Sequence, residues 1–211
     1  MMDYDLARKN MVDFQIATRG VTNDLVLAAM RSVPRHLFVP EQLRDQAYDD
    51  GPLPIGEGQT ISQPFIVAQM TELLGLEGGE KVLDVGTGSG YQTAVLAEIA
   101  GEVYTIERVG SLLRESSARL LKMGYENIHF FEGDGWKGLP EYAPFDGILV
   151  AAAADRIPSA LKSQLSPNGG RLVIPVGGEY WQKLMLIERR GNRFRSEDRG
   201  EVRFVPLIEG G

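Results

Sequence analysis

Lys81-Val82-Leu83-Asp84-Val85-Gly86-Thr87-Gly88-Ser89-Gly90-Tyr91-Gln92-Thr93-Ala94 is a short apolar run that breaks into a glycine-rich turn and reopens as a helix-forming segment. A strand feeding a helix through such a turn places backbone N–H groups at the carboxyl end of a sheet, where open α/β folds take up ligands. The spacing is Gly-x-Gly-x-Gly, and Tyr91 stands where the dinucleotide fingerprint needs its last glycine. No Gly-Lys-Ser/Thr follows either, so the turn is not a P-loop.

Downstream of this turn, strand and helix patterns alternate. Helices are predicted over Tyr91 to Ala100, Ser111 to Met123 and Pro158 to Leu165, and strands over Glu102 to Ile106, Ile128 to Phe131, Phe145 to Ala151 and Arg171 to Val176. Alternation at this spacing implies βαβ units, hence a Rossmann-like, doubly wound and mostly parallel α/β sheet. The last third (Lys183 to Arg190, Arg193 to Arg195, Glu201 to Leu207) is strand-like without intervening helices and predicts an antiparallel edge.

Upstream, Leu6, Met11, Phe14 and Ile16 suit an amphipathic helix ended by Gly20. Thr22 or Asn23 then caps a second helix over Asp24 to Val33. Residues 49 to 64 (DDGPLPIGEGQTISQP) hold three prolines and three glycines and read as a long ordered loop, a length that compact domains reserve for function. Pro64 opens a helix that Gly75 closes. The expectation is one domain over 1–211, with helices and a substrate loop in 1–78 and a cofactor-binding core plus terminal strands in 79–211.

Composition narrows the chemistry. The chain lacks cysteine, which excludes thiol nucleophiles, disulfides and thiolate metal sites, and its two histidines support neither a Ser-His-Asp triad nor a metal cluster. With 22 basic and 29 acidic residues the net charge is -7, and no basic arm is present, so a nucleic-acid partner is not expected. The opening MMDYDLARKN mixes acids and bases where a secretory signal needs an apolar run, and no run is long enough to span a membrane. A cytoplasmic monomer is expected.

The acids around the turn specify a ligand. Glu107 follows the next strand, 17 residues after Gly90, where a carboxylate can accept both ribose hydroxyls of an adenosyl group. Asp84 beside the turn favours a cationic ligand over a pyrophosphate. Asp134, in Gly133-Asp134-Gly135, can accept from an exocyclic amine such as that of adenine. S-adenosylmethionine, with a sulfonium, an ammonium and no phosphate, fits this set, its demethylated product being S-adenosyl-L-homocysteine.

Arg35-His36-Leu37-Phe38-Val39-Pro40, Ala47-Tyr48-Asp49-Asp50, the block from Pro52 to Pro64, Pro144-Phe145-Asp146 and Val205-Pro206-Leu207 extend the pattern over nearly the whole chain. On these residues the sequence resembles the protein-L-isoaspartate O-methyltransferase family, the Gly58-Gln59-Thr60-Ile61-Ser62-Gln63-Pro64 stretch being the most specific part. The resemblance implies methyl transfer from S-adenosylmethionine to the free α-carboxylate of L-isoaspartyl residues in damaged proteins and peptides. It assigns catalysis to Ser62 and cofactor binding to Thr60, Asp84, Gly86, Thr87, Gly88, Glu107, Asp134 and Gly135. One departure is Ala151, where many members carry a threonine.

Each singled-out residue also has a plainer reading. Ser62 can simply cap the helix opened by Pro64. His36 reads as a packed structural histidine, His129 as surface or core edge, and Trp136 as either an adenine neighbour or a hydrophobic plug. Arg108, Arg114 and Arg119 read as a solvated helix face. The competing functions are a methyltransferase for another substrate and a nonenzymatic S-adenosylmethionine-binding module, the latter having no use for the Ser62 block.

Overall fold

The computed structural model describes residues 2–210. Its N-terminal part is helical. Asp3 caps α1 (Tyr4–Asn10) by accepting from Asp5 and Leu6, and the chain continues through a wide π turn (Met11–Ile16) and a 3-10 turn to Gly20, which is left-handed. Asn23, one of the two expected caps, accepts the first amides of α2 (Asp24–Ser32).

The expected long loop contains a hairpin. β1 (Leu53–Gly56) pairs antiparallel with β2 (Gln59–Ile61), so the loop prediction is corrected for these seven residues. Pro54 cannot donate to a ladder, but in an isolated two-stranded ribbon it needs a partner on one side only. The turn is made by Gly56, Glu57 and Gly58, all at positive φ. Helix α3 (Pro64–Leu74) follows and ends at a left-handed Gly75, as its proline and glycine predict.

The core is a seven-stranded sheet. Its parallel strands are β3 (Lys81–Val85), β4 (Glu102–Glu107), β5 (Ile128–Glu132), β6 (Gly147–Val150) and the first half of β7 (Asn168–Gly177). β8 (Gln182–Arg190) and β9 (Arg193–Val202) add the antiparallel edge. Helices α4 (Tyr91–Ala97), α5 (Gly110–Lys122) and α6 (Ser159–Ser163) make the crossovers. The strand order is β5-β4-β3-β6-β7-β8-β9. From β3 the chain winds outward to β5 and then returns to β6 on the other side, so the switch point lies between β3 and β6.

Period-two alternation divides the strands between two cores. Val82, Val103, Leu149 and Val173 face a cluster that also holds Met11, Met30, Phe38, Val67 and Leu96, so the N-terminal helices, α3 and α4 cover one face. Leu83, Val85, Ile106, Ile148 and Val150 face the other, with Phe145, Leu161 and Leu165. The strand expected up to Leu207 stops at Val202; beyond it the chain crosses to Ala153, which donates to Val205 and accepts from Leu207. Val205-Pro206-Leu207 is thereby held over the ends of β3 and β6.

Candidate active site

The crevice forms at the switch point because β3 ends in a turn that only glycine adopts without strain: Gly86, Gly88 and Gly90 all have positive φ. The wall opposite Gly86 is Ala151, at the end of β6; a Cβ added to Gly86 would lie 3.7 Å from that of Ala151. Gly135 is required by crowding, since its Cβ would come within 2.5 Å of Val85.

Glu107 is nearly buried and fixed from both sides. Its Oε2 accepts from the Gly88 amide (2.9 Å) and its Oε1 from the Val109 amide (2.9 Å). Each oxygen keeps a lone pair, and the side chain lines the cavity, so it presents two parallel acceptors to a vicinal diol. Thr60, Ser62, Gly86, Thr87, Gly88 and Gly135 line the same cavity. Seven of the nine residues singled out from the sequence thus meet at one place.

Asp84 does not, and that expectation is corrected; Asp134 lies outside the cavity lining, next to Gly135. Asp84 shares its strand face with Val82 and so points under the turn toward α4, where Oδ2 accepts from Thr93 (2.6 Å) and Thr105 (3.2 Å) with no exposure. Its Oδ1 is buried without a partner. Asp134 accepts from the Trp136 and Gly210 amides and lies 3.6 Å from Lys137, closing its own turn and tethering the tail.

Burial pushes the Asp84 carboxyl up to about 7, against the two threonine hydroxyls that lower it; the neighbouring Glu107 charge adds to the rise. The folded chain therefore retains this proton up to about pH 7, whereas the unfolded chain releases it near the ordinary aspartate value of 3.8. Between those values the folded state binds more protons, so this group makes stability fall as pH rises. Asp84→Asn, compared with the parent by melting temperature from pH 5 to 8, is expected to remove that downward contribution. Identical slopes in the two proteins would show that Asp84 ionises normally.

The remaining candidates resolve into structural roles. His36 stacks on Tyr4 with ring centres 4.1 Å apart and contacts the Tyr48 hydroxyl through Nδ1 (2.8 Å), away from the crevice. Burial, with Arg8 and Arg44 nearby, lowers its pKa. His129 lies at the surface beside Glu102. Trp136 is a plug, donating from Nε1 to the Leu207 carbonyl (3.1 Å) under the Arg156 guanidinium. Arg119 departs from the solvated-face reading: half-buried, it donates to the Ser89 carbonyl (2.7 Å) and so ties α5 to the glycine turn.

The Ser62 hydroxyl has no hydrogen-bond partner among the described residues. The N-cap of α3 is Gln63, and no side chain caps that helix. Ser62 lines both the cofactor-sized cavity and a second, open groove bordered by Arg19, Phe65, Arg203 and Phe204. Another groove runs from Thr60 past Trp136 to Gly178 and Glu179 at the β7–β8 turn. Reasoning from sequence missed Gln92, which lines the main cavity from the first turn of α4. An amide side chain two positions past Gly90, in the first turn of the helix, was the available signal.

No group of three or more acidic or histidine side chains capable of holding a metal occurs among the described residues. The donor set instead suits an uncharged diol beside a cation, as in S-adenosylmethionine: two free carboxylate lone pairs on Glu107 and a glycine turn whose own residues include no lysine or arginine, Arg108 being, among the described residues, the one basic residue in the cavity wall.

Comparison with known proteins agrees with this donor set. The family described as protein-L-isoaspartate(D-aspartate) O-methyltransferase (PCMT) matches residues 6–211. A protein-L-isoaspartate O-methyltransferase of Halorhodospira halophila is 55% identical over 205 residues, covering 96% of this chain and 92% of that protein. One from Methanoregula boonei is 54% identical over 201 residues, covering 95% and 92%. Among solved structures, a protein-L-isoaspartate O-methyltransferase superposes with a TM-score of 0.85 at 28% identity over 97% of this chain, which spans 66% of that longer one. A Plasmodium falciparum PCMT structure in complex with S-adenosyl-L-homocysteine has a TM-score of 0.81 at 26% identity, each chain covered in full. By sequence over nearly its whole length, and by fold, the chain belongs to the protein-L-isoaspartate(D-aspartate) O-methyltransferase family.

Proposed function

We propose that this protein transfers a methyl group from S-adenosylmethionine to the free α-carboxylate of L-isoaspartyl residues in damaged proteins and peptides. The observation that carries the reading is Ser62: an unpartnered hydroxyl at the junction of the main cavity with an open groove, in a block that a mere cofactor binder would not need. The cofactor supplies an electrophilic methyl on a positively charged sulfur, and S-adenosyl-L-homocysteine is the product. One carboxylate oxygen forms the new O–CH3 bond as the CH3–S bond breaks, and the electron pair of that bond returns to sulfur.

The protein's contribution is orientation. A carboxylate with a pKa near 4 is ionised at neutral pH and needs no general base. Ser62 donates to its second oxygen and limits its rotation, while Glu107 fixes the ribose end of the cofactor. Val67, Val85, Ile106 and Ala151 supply apolar wall to the same cavity. The deciding experiment offers two peptides differing only in an isoaspartyl or an aspartyl residue. Methyl ester formation on the first alone supports the reading; equal labelling or none overturns it.

The absence of a base predicts the pH behaviour. Across pH 6 to 8, kcat is expected to stay flat, and His36→Gln, in a protein that still folds, to retain most activity. A bell-shaped profile abolished by that substitution would reveal a histidine acting as base.

The reading extends to one 211-residue domain working as a cytoplasmic monomer on polypeptide substrates, with no nucleic-acid partner. The apolar cluster shared by the N-terminal helices and the sheet supports the single domain. The charge of -7 and the lack of cysteine support the partner and the compartment. None of the helices among the described residues is long and apolar enough to cross a membrane.

A further inference from the structure

Gln92 makes one hydrogen bond, and that bond fixes which way its amide faces. Nε2 lies 2.9 Å from the Thr71 hydroxyl. Thr71 has a single proton to give, and it donates this to the Val67 carbonyl one turn earlier in α3 (2.8 Å). Its oxygen can only accept from Gln92, so the NH2 group must face Thr71; a flipped amide would oppose two acceptors. The carbonyl oxygen Oε1 is left without a protein partner, yet is not buried from solvent-sized contact, in a side chain that lines the main cavity.

The position of this acceptor along the cavity follows from the strand order. Glu107 stands at the end of β4, on one side of the β3 turn, while α3 packs over β6 and β7 on the other side. Gln92, held to α3, therefore sits across the glycine turn from the carboxylate that takes the ribose. An elongated adenosyl ligand fixed by its ribose at Glu107 extends its other arm toward Gln92. In S-adenosylmethionine that arm is an amino acid with an ammonium and a carboxylate. A lone carbonyl acceptor can bind only the ammonium, which carries three N–H donors, because the carboxylate has none to offer.

We propose that Gln92 is a specificity-determining residue for the cofactor, its Oε1 accepting from the ammonium of the amino-acid arm while Thr71 holds the amide in that orientation. This rests on the reading of the cavity as an S-adenosylmethionine site. It assigns a contact to the arm that Asp84, turned beneath the loop, does not reach.

The test compares two ligands on the intact protein by calorimetry: S-adenosyl-L-homocysteine, and 5′-methylthioadenosine, the same thioether nucleoside without the amino-acid arm. Binding of both to the parent protein checks the underlying cofactor reading by itself. Gln92→Leu is expected to weaken the homocysteine ligand about tenfold, as for a lost hydrogen bond to a charged group, and to leave methylthioadenosine within twofold. Thr71→Val frees the amide to turn and is expected to cause a smaller loss with the same selectivity. Equal losses for both ligands would mean that Gln92 only shapes the turn, and unchanged affinity for both would mean that it makes no contact; either result overturns the proposal. If Gln92→Leu does not fold, Gln92→Asn, whose shorter side chain cannot reach both partners, is read by the same ratio.

Discussion

Glu107→Ala is expected to weaken binding of S-adenosyl-L-homocysteine by about a hundredfold, measured by calorimetry at constant pH and salt. The carboxylate offers two charge-assisted hydrogen bonds to ribose hydroxyls, and a hydrogen bond to a charged group contributes about 1.5 to 3 kcal/mol. The alanine also strands the Gly88 and Val109 amides that Glu107 now satisfies, loosening the turn on which the ligand rests. Two ribose bonds at the lower end of that range reach about 3 kcal/mol, which corresponds to roughly two orders of magnitude in affinity. Glu107→Gln keeps one carbonyl acceptor and is expected to lose less, about tenfold. Affinity within threefold of the parent in the alanine variant would remove Glu107 from the ribose site.

The legible parts of this chain were those in which local chemistry and global fold agree. Pro64 and Gly75 bound a helix in the sequence for the same backbone reasons that they bound α3 in the structure. The run from Val82 to Gly90 announces a strand and a tight turn because apolar residues give way to glycines that take up positive φ without strain. What escaped were long-range placements. Asp84 is adjacent to the glycine turn in sequence, but one residue of strand parity decides whether a side chain enters the crevice or the layer beneath it, and the hydroxyls of Thr93 and Thr105 receive it below. Asp134 accepts from the amides of Trp136 and Gly210, the latter 76 positions away, a contact that no local rule announces.

The hairpin over Leu53–Ile61 was hidden for a related reason. Its prolines and glycines forbid a central strand, yet they permit an isolated ribbon with one paired side. The arginine linking α5 to the glycine turn was hidden by its type: on a helix surface Arg119 looks like a solvated charge, and only the fold brings Ser89 within 2.7 Å. Local rules thus delivered the elements and most of the cavity wall, while the contacts that orient the wall depend on which elements become neighbours.

Ser62→Ala is expected to lower kcat with an isoaspartyl peptide by ten- to a hundredfold, with much smaller changes in cofactor affinity and stability. The serine hydroxyl is the one proposed contact that holds the nucleophilic carboxylate in line with the methyl group, so its loss falls on turnover. One well-placed hydrogen bond to a charged group, about 1.5 to 3 kcal/mol, sets the range. Had Ser62 been the helix cap, its removal would cost about 1 kcal/mol of stability, a drop of roughly 2 to 4 °C in Tm for a domain of this size, with nearly normal turnover. The N-cap of α3 is Gln63 and no side chain caps that helix, so the Tm of the variant is expected to match that of the parent. Kinetics, melting and S-adenosyl-L-homocysteine binding on one preparation separate the two roles. A preserved kcat would move the orienting contact away from Ser62, whatever the melting curve showed. A lowered kcat at unchanged Tm and affinity places it at the junction of cavity and groove, where the hydroxyl has no partner in the protein.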